Sequence, residues 1–408
     1  DFKQLWDIIP EDLKPYSAVD IPLAEVTSGP DTLRCIEEAA NTGMNLNICA
    51  SGPHFVKDGL YKISSLSELE LVLRKYDNII SIQIVEQYLG AASSDSWRMQ
   101  YFKRLLKLCA KYGRKLIYSD GNRESFKWVS MTACREMMEF LSEYREYIVP
   151  VWKMNHSLSS PTVHSSLLGM WLSGVIDCFG VQPENWYWND AGFRKMGEKF
   201  GYLQGIEHQT PSPLIGQMLL MGVSSGATVY PIEGNSWVIE RYGKGSIRFS
   251  QAGRNALSLF RAVVRQRLIP LKEEVMEKVH AAIVPYGSDY GDTYTLGIFR
   301  TFYETAYGMR KSNEFIPNNG RYYFIPIALC SSMQSGMPQH IKRISLENLT
   351  ERQDVKAVLD PLYPCRYDGD AFVSDAGGTL VIMNTSENED ISQYFRVIPE
   401  QSSENSSF

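Results

Sequence analysis

Residues 79–86 have the sequence IISIQIVE and give the clearest indication of the fold. Five of its first seven residues are Ile or Val, the composition of a strand buried in a parallel sheet. Helical patterns precede it at Ser67–Tyr76 and follow it at Ser96–Tyr112, with apolar residues at helical spacing. This succession predicts a βα unit of a parallel sheet, and it places Glu86 at the carboxyl end of the strand.

The same alternation extends in both directions and covers roughly residues 16–268. The predicted strands are Val19–Val26, Asn45–Ala50, Ile79–Val85, Lys115–Ser119, Tyr147–Trp152, Val175–Gly180, a weak one near Gly205–His208, and Ala227–Pro231. The predicted helices are Asp31–Asn41, Ser67–Tyr76, Ser96–Tyr112, Glu124–Tyr144, Pro161–Leu172, Pro213–Val223 and Gln251–Arg267. Eight strands in about 250 residues match a closed (β/α)8, or TIM, barrel. A doubly wound open sheet is disfavoured, because Thr27–Pro30 is not a Gly-rich phosphate loop.

The character of the sequence changes after about residue 280. Short strand-like runs separated by Gly, Asn and Asp turns follow one another, at Ala281–Pro285, Thr293–Phe299, Tyr322–Leu329 and Thr379–Asn384. We therefore predict a catalytic barrel over residues 1–275, a smaller β-sandwich domain over residues 276–398 and a polar tail over residues 399–408.

Composition excludes several classes of protein. The formal charge of −6, without a run of Lys and Arg, disfavours a nucleic-acid partner. The sequence contains no stretch of about 18 apolar residues, so we expect no membrane span. The seven Cys include no CxxC pair, so we expect mostly buried free thiols rather than a zinc site. The chain opens with Asp1 instead of Met and shows no signal peptide, which suggests processing or trimming.

Carboxylates stand at the predicted carboxyl ends of the strands, where barrel enzymes place their active sites. Three of them are the candidate catalytic residues: Glu86, Asp190 and Glu233. Glycoside hydrolysis needs two carboxyl groups on opposite sides of the bond, one as an acid and one to activate water or attack the sugar. The alternatives are a surface Glu86 that caps the next segment, Asp190 as a helix N-cap, and Glu233 in a structural ion pair.

Residues near those carboxylates are candidates for sugar contacts, because flat aromatic faces suit sugar rings and polar groups bind hydroxyls. The candidate substrate-binding residues are Tyr88, Asp120, Lys153, Asn155, Glu184, Trp186, Trp188, His208 and Trp237. Structural roles stay open for these residues. The aromatics can instead cap the barrel, and Asp120 fits a tight turn.

The sequence offers no signature of a catalytic metal or of a serine hydrolase. There is no HxH or HExxH spacing, and no GxSxG elbow. We predict that no cofactor is required. A structural calcium held by loop oxygens stays compatible with the sequence.

Several motifs in one order resemble glycoside hydrolase family 98. They are IIPEDLKPY at residues 8–16, VEQY at 85–88, YWND at 187–190, YPIEG at 230–234 and IPNNGRY at 316–322. The resemblance implies a (β/α)8 barrel followed by a β-sandwich, and an endo-acting, inverting enzyme. It implies cleavage of a β-1,4-galactosyl linkage in blood-group A or B glycans, or of xylan, by a secreted or cell-surface protein.

The same resemblance assigns roles. Glu86 would be the general acid, while Asp190 and Glu233 would flank and activate the water. Glu184 lies six residues before Asp190 and could occupy its place. The expected partner is an oligosaccharide or polysaccharide bound by a monomer.

Two other classes of function remain. A non-catalytic glycan-binding protein on a barrel scaffold would share the aromatics without needing an acid and base. A phosphate-handling barrel enzyme is disfavoured, because Glu233 and Glu240 would repel phosphate beside Gly243 and Gly245.

Overall fold

The computed structural model describes the chain in segments. They are residues 2–22, 30–51, 56–57, 60–61, 64–85, 97–119, 135–154, 160–184, 212–232, 238–243, 245–284, 325–328, 330–345, 357–359, 361–363, 371–376 and 379–384.

A six-stranded parallel sheet forms the centre of the molecule. Its strands are β1 (Val19–Pro22), β2 (Leu46–Ser51), β5 (Ile79–Val85), β6 (Lys115–Ser119), β7 (Ile148–Met154) and β8 (Gly180–Pro183), in that spatial order. Two small hairpins are separate from this sheet. One pairs β3 (Val56–Lys57) with β4 (Leu60–Tyr61), and the other pairs β9 (Ile239–Tyr242) with β10 (Ser246–Phe249). Each strand of the large sheet pairs with the next in sequence in parallel, which confirms the prediction of an α/β fold built from successive βα units.

The strand order corrects one sequence prediction. Ala227–Pro231 was expected as the eighth strand, after a weak seventh strand near Gly205–His208. Instead, Val229 bridges directly to Gly180 in parallel, and Val181 N donates to Val229 O at 2.9 Å. This backbone pairing gives Val229 the position beside β8, so the segment is seventh in the sheet. Residues 205–208 lie outside the described segments.

Helices connect the strands and cover one face of the sheet. They are α1 (Phe2–Ile8), α2 (Pro30–Ala40), α3 (Leu66–Lys75), α4 (Trp97–Lys111), α5 (Arg135–Glu143), α6 (Ser160–Leu172), α7 (Ser212–Ser225), α8 (Gln251–Gln266), α9 (Lys272–Lys278) and α10 (Ser331–Gly336). Ser65 shows why α3 begins where it does. Its hydroxyl accepts a hydrogen bond from Glu68 N at 3.2 Å and so caps the helix.

The two faces of the sheet differ in chemistry. Alternate strand residues such as Ile82, Tyr118 and Trp152 are fully buried against apolar helix residues including Phe102 and Leu168. These contacts form the main hydrophobic core of the described chain. The sheet therefore turns its apolar face toward the helices, as a barrel wall does.

The opposite face is polar and buried. We call it the polar face and define it by Asn47, Ser81, Gln83, Ser119, Lys153, Gln182 and Glu184. The strand register supports this assignment, because residues paired across neighbouring strands share a face, as Lys153 does with Gln182. Apolar residues interrupt it at Ile117, Val149 and Val151, which pack together in a small cluster of their own. Burial of this face fits a sheet that curls around its own concave side.

The region after residue 280 begins with a parallel pair. Strand β11 (Ala281–Val284) pairs with β12 (Lys342–Ser345), a strand that the sequence did not predict. A hairpin follows, with β13 (Ala371–Ala376) antiparallel to β14 (Thr379–Asn384). The predicted strand at Thr379–Asn384 is thus confirmed. Thr293–Phe299 lies outside the described residues, and the β-sandwich stays a prediction.

The predicted strand Tyr322–Leu329 is wrong for its described part. Residues 325–328 contribute one isolated bridge, between Ile327 and Ile283. Pro326 cannot donate to a strand ladder, and Ile327 N donates instead to Ser165 O of α6 at 2.9 Å. The segment therefore divides its backbone hydrogen bonds between β11 and a helix.

Five cysteines of the described segments form no disulfide bond: Cys35, Cys49, Cys109, Cys178 and Cys330. Cys134 and Cys365 lie outside those segments. Within the same part of the chain, no helix combines the length and the apolarity needed to cross a bilayer.

Candidate active site

A buried ion pair lies at the carboxyl end of the parallel sheet. Lys153 is the second-last residue of β7, and Glu184 directly follows β8. Lys153 Nζ lies 2.6 Å from Glu184 Oε1, and the two side chains are 2% and 0% exposed. Strands β7 and β8 are neighbours in the sheet, so the polar face brings the two charges together.

Glu184 is incompletely hydrogen-bonded. Neither of its carboxylate oxygens has a well-aligned hydrogen-bond donor among the described residues, although Lys153 Nζ approaches Oε1 closely. A buried carboxylate without donors is costly, and in native proteins such groups are rare. The pair is therefore held by charge, and Glu184 keeps capacity to accept further hydrogen bonds.

The amino-terminal half of the polar face is tied together by amide hydrogen bonds. Asn47 Nδ2 donates to Gln83 Oε1 at 2.7 Å and to Asp20 Oδ1 at 3.0 Å. Ser81 Oγ donates to Asn47 Oδ1 at 2.7 Å. This network joins β1, β2 and β5 side by side, so the strands that lead to the carboxyl edge are held in fixed register.

Behind the ion pair, β7 is anchored on helix α6. Trp152 turns to the helix side and stacks on His164, with ring centroids 4.3 Å apart and an interplanar angle of 17°. Burial lowers the pKa of His164 to about 3, so the imidazole is neutral at ordinary pH. The neutral stack fixes the position of β7, and with it the position of Lys153 on the other face.

Of the residues predicted to form the site, the structure places two. Lys153 and Glu184 were predicted separately as sugar contacts, and the structure brings them into direct contact with each other. Their role in binding a sugar stays a prediction. The remaining candidates, which are Glu86, Tyr88, Asp120, Asn155, Trp186, Trp188, Asp190, His208, Glu233 and Trp237, lie outside the described residues.

The pairing of Lys153 with Glu184 was missed by the sequence reasoning, although a signal for it existed. Alternation along β7 puts Val149, Val151 and Lys153 on one face, and a parallel neighbour would set Gln182 beside Lys153. Two opposite charges at the ends of adjacent strands then meet. Seeing this requires the register between strands, which the sequence alone does not supply.

A metal site has no support in the described part of the chain. There, no group of three or more His, Cys, Asp and Glu side chains is arranged to hold an ion. The arrangement that is present supplies fixed charges at the edge of a rigid sheet. Such a site can orient polar substrates and tune neighbouring acids and bases.

Solved structures share this fold. The catalytic module of a family 98 glycoside hydrolase from Streptococcus pneumoniae TIGR4, in complex with the H-disaccharide blood group antigen, matches with a TM-score of 0.74 and 22% identity. That match covers 95% of this chain and 69% of the other. The same module in its native form gives a TM-score of 0.75, also at 22% identity, with 95% of this chain and 68% of the other covered.

A curated relative shows similarity in sequence. The protein from Clostridium perfringens named blood-group-substance endo-1,4-beta-galactosidase is 24% identical over 428 aligned residues. The alignment covers 95% of this chain and 50% of the relative, so the chain spans about half the length of that protein.

Two models of one protein family match adjacent regions that together cover almost the whole sequence. The model described as glycosyl hydrolase family 98 matches residues 1–269, and the model of that family's C-terminal domain matches residues 272–407. The resemblance of the sequence motifs is thereby confirmed. The chain belongs to glycosyl hydrolase family 98.

Proposed function

We propose that this chain is an endo-acting glycoside hydrolase that cleaves a β-1,4-galactosyl linkage in blood-group glycans with inversion at the anomeric carbon. The observation that carries the proposal is the match of both family models along one chain, from residue 1 to residue 407. The curated relative is named for action on blood-group substance, and a solved relative is in complex with the LewisY pentasaccharide blood group antigen.

The proposed reaction uses three carboxyl groups, of which one is protonated and two are ionised. Glu86, which directly follows β5, gives its proton to the leaving glycosidic oxygen. Asp190 and Glu233 accept a proton from water as it attacks the opposite side of the sugar ring. Inversion requires room for this water, so we expect the acid and the base to lie roughly 6.5–9.5 Å apart. The proposed reaction uses no cofactor, and a secreted or cell-surface location suits a glycan substrate.

The carboxyl edge of the sheet supports this placement. In barrel enzymes the reacting groups come from the carboxyl ends of several strands. Here that edge carries the buried Lys153–Glu184 pair. In the sequence, Glu86 directly follows β5, and Asp190 comes seven residues after the end of β8. In the proposal Tyr88, Trp186, Trp188 and Trp237 supply flat faces for sugar rings, and Asp120, Asn155 and His208 bind hydroxyls.

The test is a substrate panel with the product anomer followed by NMR. The protein is incubated with blood-group A and B oligosaccharides that contain the β-1,4-galactosyl linkage, with the same cores lacking the blood-group sugars, and with arabinoxylan. We expect cleavage of the first set, with the α-anomer of the new reducing end appearing first. Mutarotation then brings the spectrum to its equilibrium mixture.

The other outcomes are distinct. Cleavage of arabinoxylan alone would contradict the galactoside substrate and leave the hydrolase class standing. Initial release of the β-anomer would contradict inversion. Tight glycan binding without product, even after long incubation, would favour the non-catalytic glycan-binding protein and overturn the proposal.

A further inference from the structure

The structure points to a role for the buried ion pair beyond substrate contact. We propose that Lys153 and Glu184 are a positioning pair for the hydrolytic reaction, which holds the carboxyl ends of β7 and β8 at fixed spacing and balanced charge. This inference rests on the proposed function, because the reaction that it serves is the glycoside cleavage proposed above.

The position of the ion pair in the sheet supports this role. Lys153 and Glu184 stand on the polar face at the end of adjacent strands, and their charged atoms are 2.6 Å apart. The other charged strand residues of that face among the described residues are Asp20 and Lys115, which stand beside the aligned pair Asn47 and Ser81 in the amino-terminal half. Among the described residues of the sheet's polar face, Lys153 and Glu184 are therefore the charged residues that lie at the carboxyl edge.

The energetics of a buried ion pair also support this role. Moving two charges out of water is expensive, and apolar residues of similar volume often replace a buried ion pair without loss of stability. A contribution to stability therefore does not explain a fully buried Lys and Glu at this place. A need for fixed charges at the edge of the site explains them better, because preorganised charges act strongly where water is excluded.

The carboxylate of Glu184 can also accept further hydrogen bonds. Both carboxylate oxygens are buried and lack a well-aligned donor among the described residues. Within that part of the chain, the negative charge of Glu184 is balanced by the ammonium group of Lys153. Removal of one partner leaves an uncompensated charge beside the reacting carboxyl groups. That charge has a sign, so the two single variants have opposite electrostatic effects.

The directions follow from the sign of the remaining charge. In Lys153→Met the negative Glu184 remains and raises the pKa of neighbouring carboxyl groups, which moves both limbs of the pH–rate profile to higher pH. In Glu184→Gln the positive Lys153 remains and moves both limbs to lower pH, each by roughly one unit. His164, the titratable group packed behind β7, is unchanged in both variants.

The experiment compares four proteins with the unaltered chain: Lys153→Met, Glu184→Gln, the double variant Lys153→Met/Glu184→Met, and a control, Glu37→Gln. Glu37 and Lys75 form an exposed ion pair with an Nζ–Oε1 distance of 2.9 Å, which joins α2 to α3 and involves neither β7 nor β8. The readouts are kcat and KM against pH, the thermal midpoint, and hydrogen exchange of peptides that cover β7 and β8.

We expect kcat to fall by about 10²-fold in both single variants, with little change in KM and with opposite shifts of the pH limbs. The double variant should keep a thermal midpoint near that of the unaltered chain. It should stay slow, however, and exchange faster at the carboxyl ends of β7 and β8. Glu37→Gln should behave like the unaltered chain in every readout, because exposed pairs contribute little.

Two results would overturn the inference. The first is recovery of turnover in the double variant, which would make the pair structural only. The second is unchanged exchange at β7 and β8 in all variants. Should a single variant fail to fold, the double variant still decides between these outcomes. If the unaltered chain cleaves no glycan, the proposed function fails, and the exchange measurement still decides whether the pair holds the strand ends.

Discussion

At the scale of single residues, the contact between Trp152 and His164 links stability to pH. His164 is 2% exposed, and burial lowers its pKa to about 3. In the unfolded chain the imidazole has an ordinary pKa of about 6.5 and takes up a proton as the pH falls below that value. The unfolded state therefore binds more protons between pH 6.5 and pH 3, and acid destabilises the folded protein.

This residue yields a measurable pH dependence. From pH 7 to pH 5, His164 alone should remove about 2 kcal/mol from the free energy of unfolding. His164→Gln cannot titrate, so the variant should lose less stability over the same interval, whatever its stability at pH 7. Urea unfolding at the two pH values measures the difference. Equal losses of stability in both proteins would contradict the lowered pKa of His164.

The same scale shows how far residues could be predicted. The sequence singled out Lys153 and Glu184 because each follows a predicted strand, where a barrel enzyme places its site. Their burial and mutual contact were not predicted, since both depend on which strands are neighbours. The burial of His164 likewise follows from the helix that packs on β7, which a lone histidine in a sequence does not reveal.

At the scale of elements, helix α6 owes its close packing to a glycine. A Cβ on Gly169 would lie 2.0 Å from the backbone oxygen of Ile327, a distance that no side chain tolerates. The glycine therefore lets residues 325–328 approach the helix, where Ile327 N donates to Ser165 O. Docking of the C-terminal region on α6 depends on this absence of a side chain.

A pair of glycine variants tests the docking. Gly169→Ala should cost about 1–3 kcal/mol of stability, because backbone must shift to accept the methyl group. Gly216 lies in α7, and no described residue outside its own stretch of helix has an atom within 4 Å of its Cβ position. Gly216→Ala should therefore be neutral or gain up to about 1 kcal/mol from helix propensity. Chemical denaturation of both variants gives the comparison. An equal effect of the two substitutions would contradict the close packing of residues 325–328 on α6 at Gly169.

Elements were predicted best where their pattern is strongest. Strand β5 has the bounds that were predicted, Ile79–Val85, and α6 and α8 agree within one residue at each end. The error in strand order arose near residues 205–208, where no apolar run distinguishes a strand from a loop. Strand β12, with the sequence Lys-Arg-Ile-Ser, escaped prediction because a short strand with one buried residue carries almost no periodic signal.

At the scale of the whole molecule, the two family regions share a hydrophobic core. Ala281, Ile283 and Ile327 are buried in the same cluster as Leu168 and Trp171 of helix α6. The change in the character of the sequence predicted a smaller C-terminal domain packed on the barrel, but it does not show which residues form the contact. The shared core implies that the N-terminal region depends on the C-terminal one.

Truncation tests this dependence. A chain that ends at residue 271, between the two family matches, would expose the apolar surfaces that residues after 280 cover. We expect this shortened protein to aggregate or to lose its cooperative thermal transition. A soluble fragment with the thermal midpoint and activity of the full chain would show instead that the regions are independent.

The role of Glu86 as the general acid is tested by comparing turnover and glycan binding in Glu86→Gln. The control is Glu277→Gln, which changes an exposed glutamate on α9. With a blood-group oligosaccharide that the unaltered chain cleaves, we predict that Glu86→Gln binds the glycan and folds normally but loses turnover by orders of magnitude, while Glu277→Gln keeps both. Near-normal turnover by Glu86→Gln would contradict the assignment of the acid and, with it, the proposed mechanism.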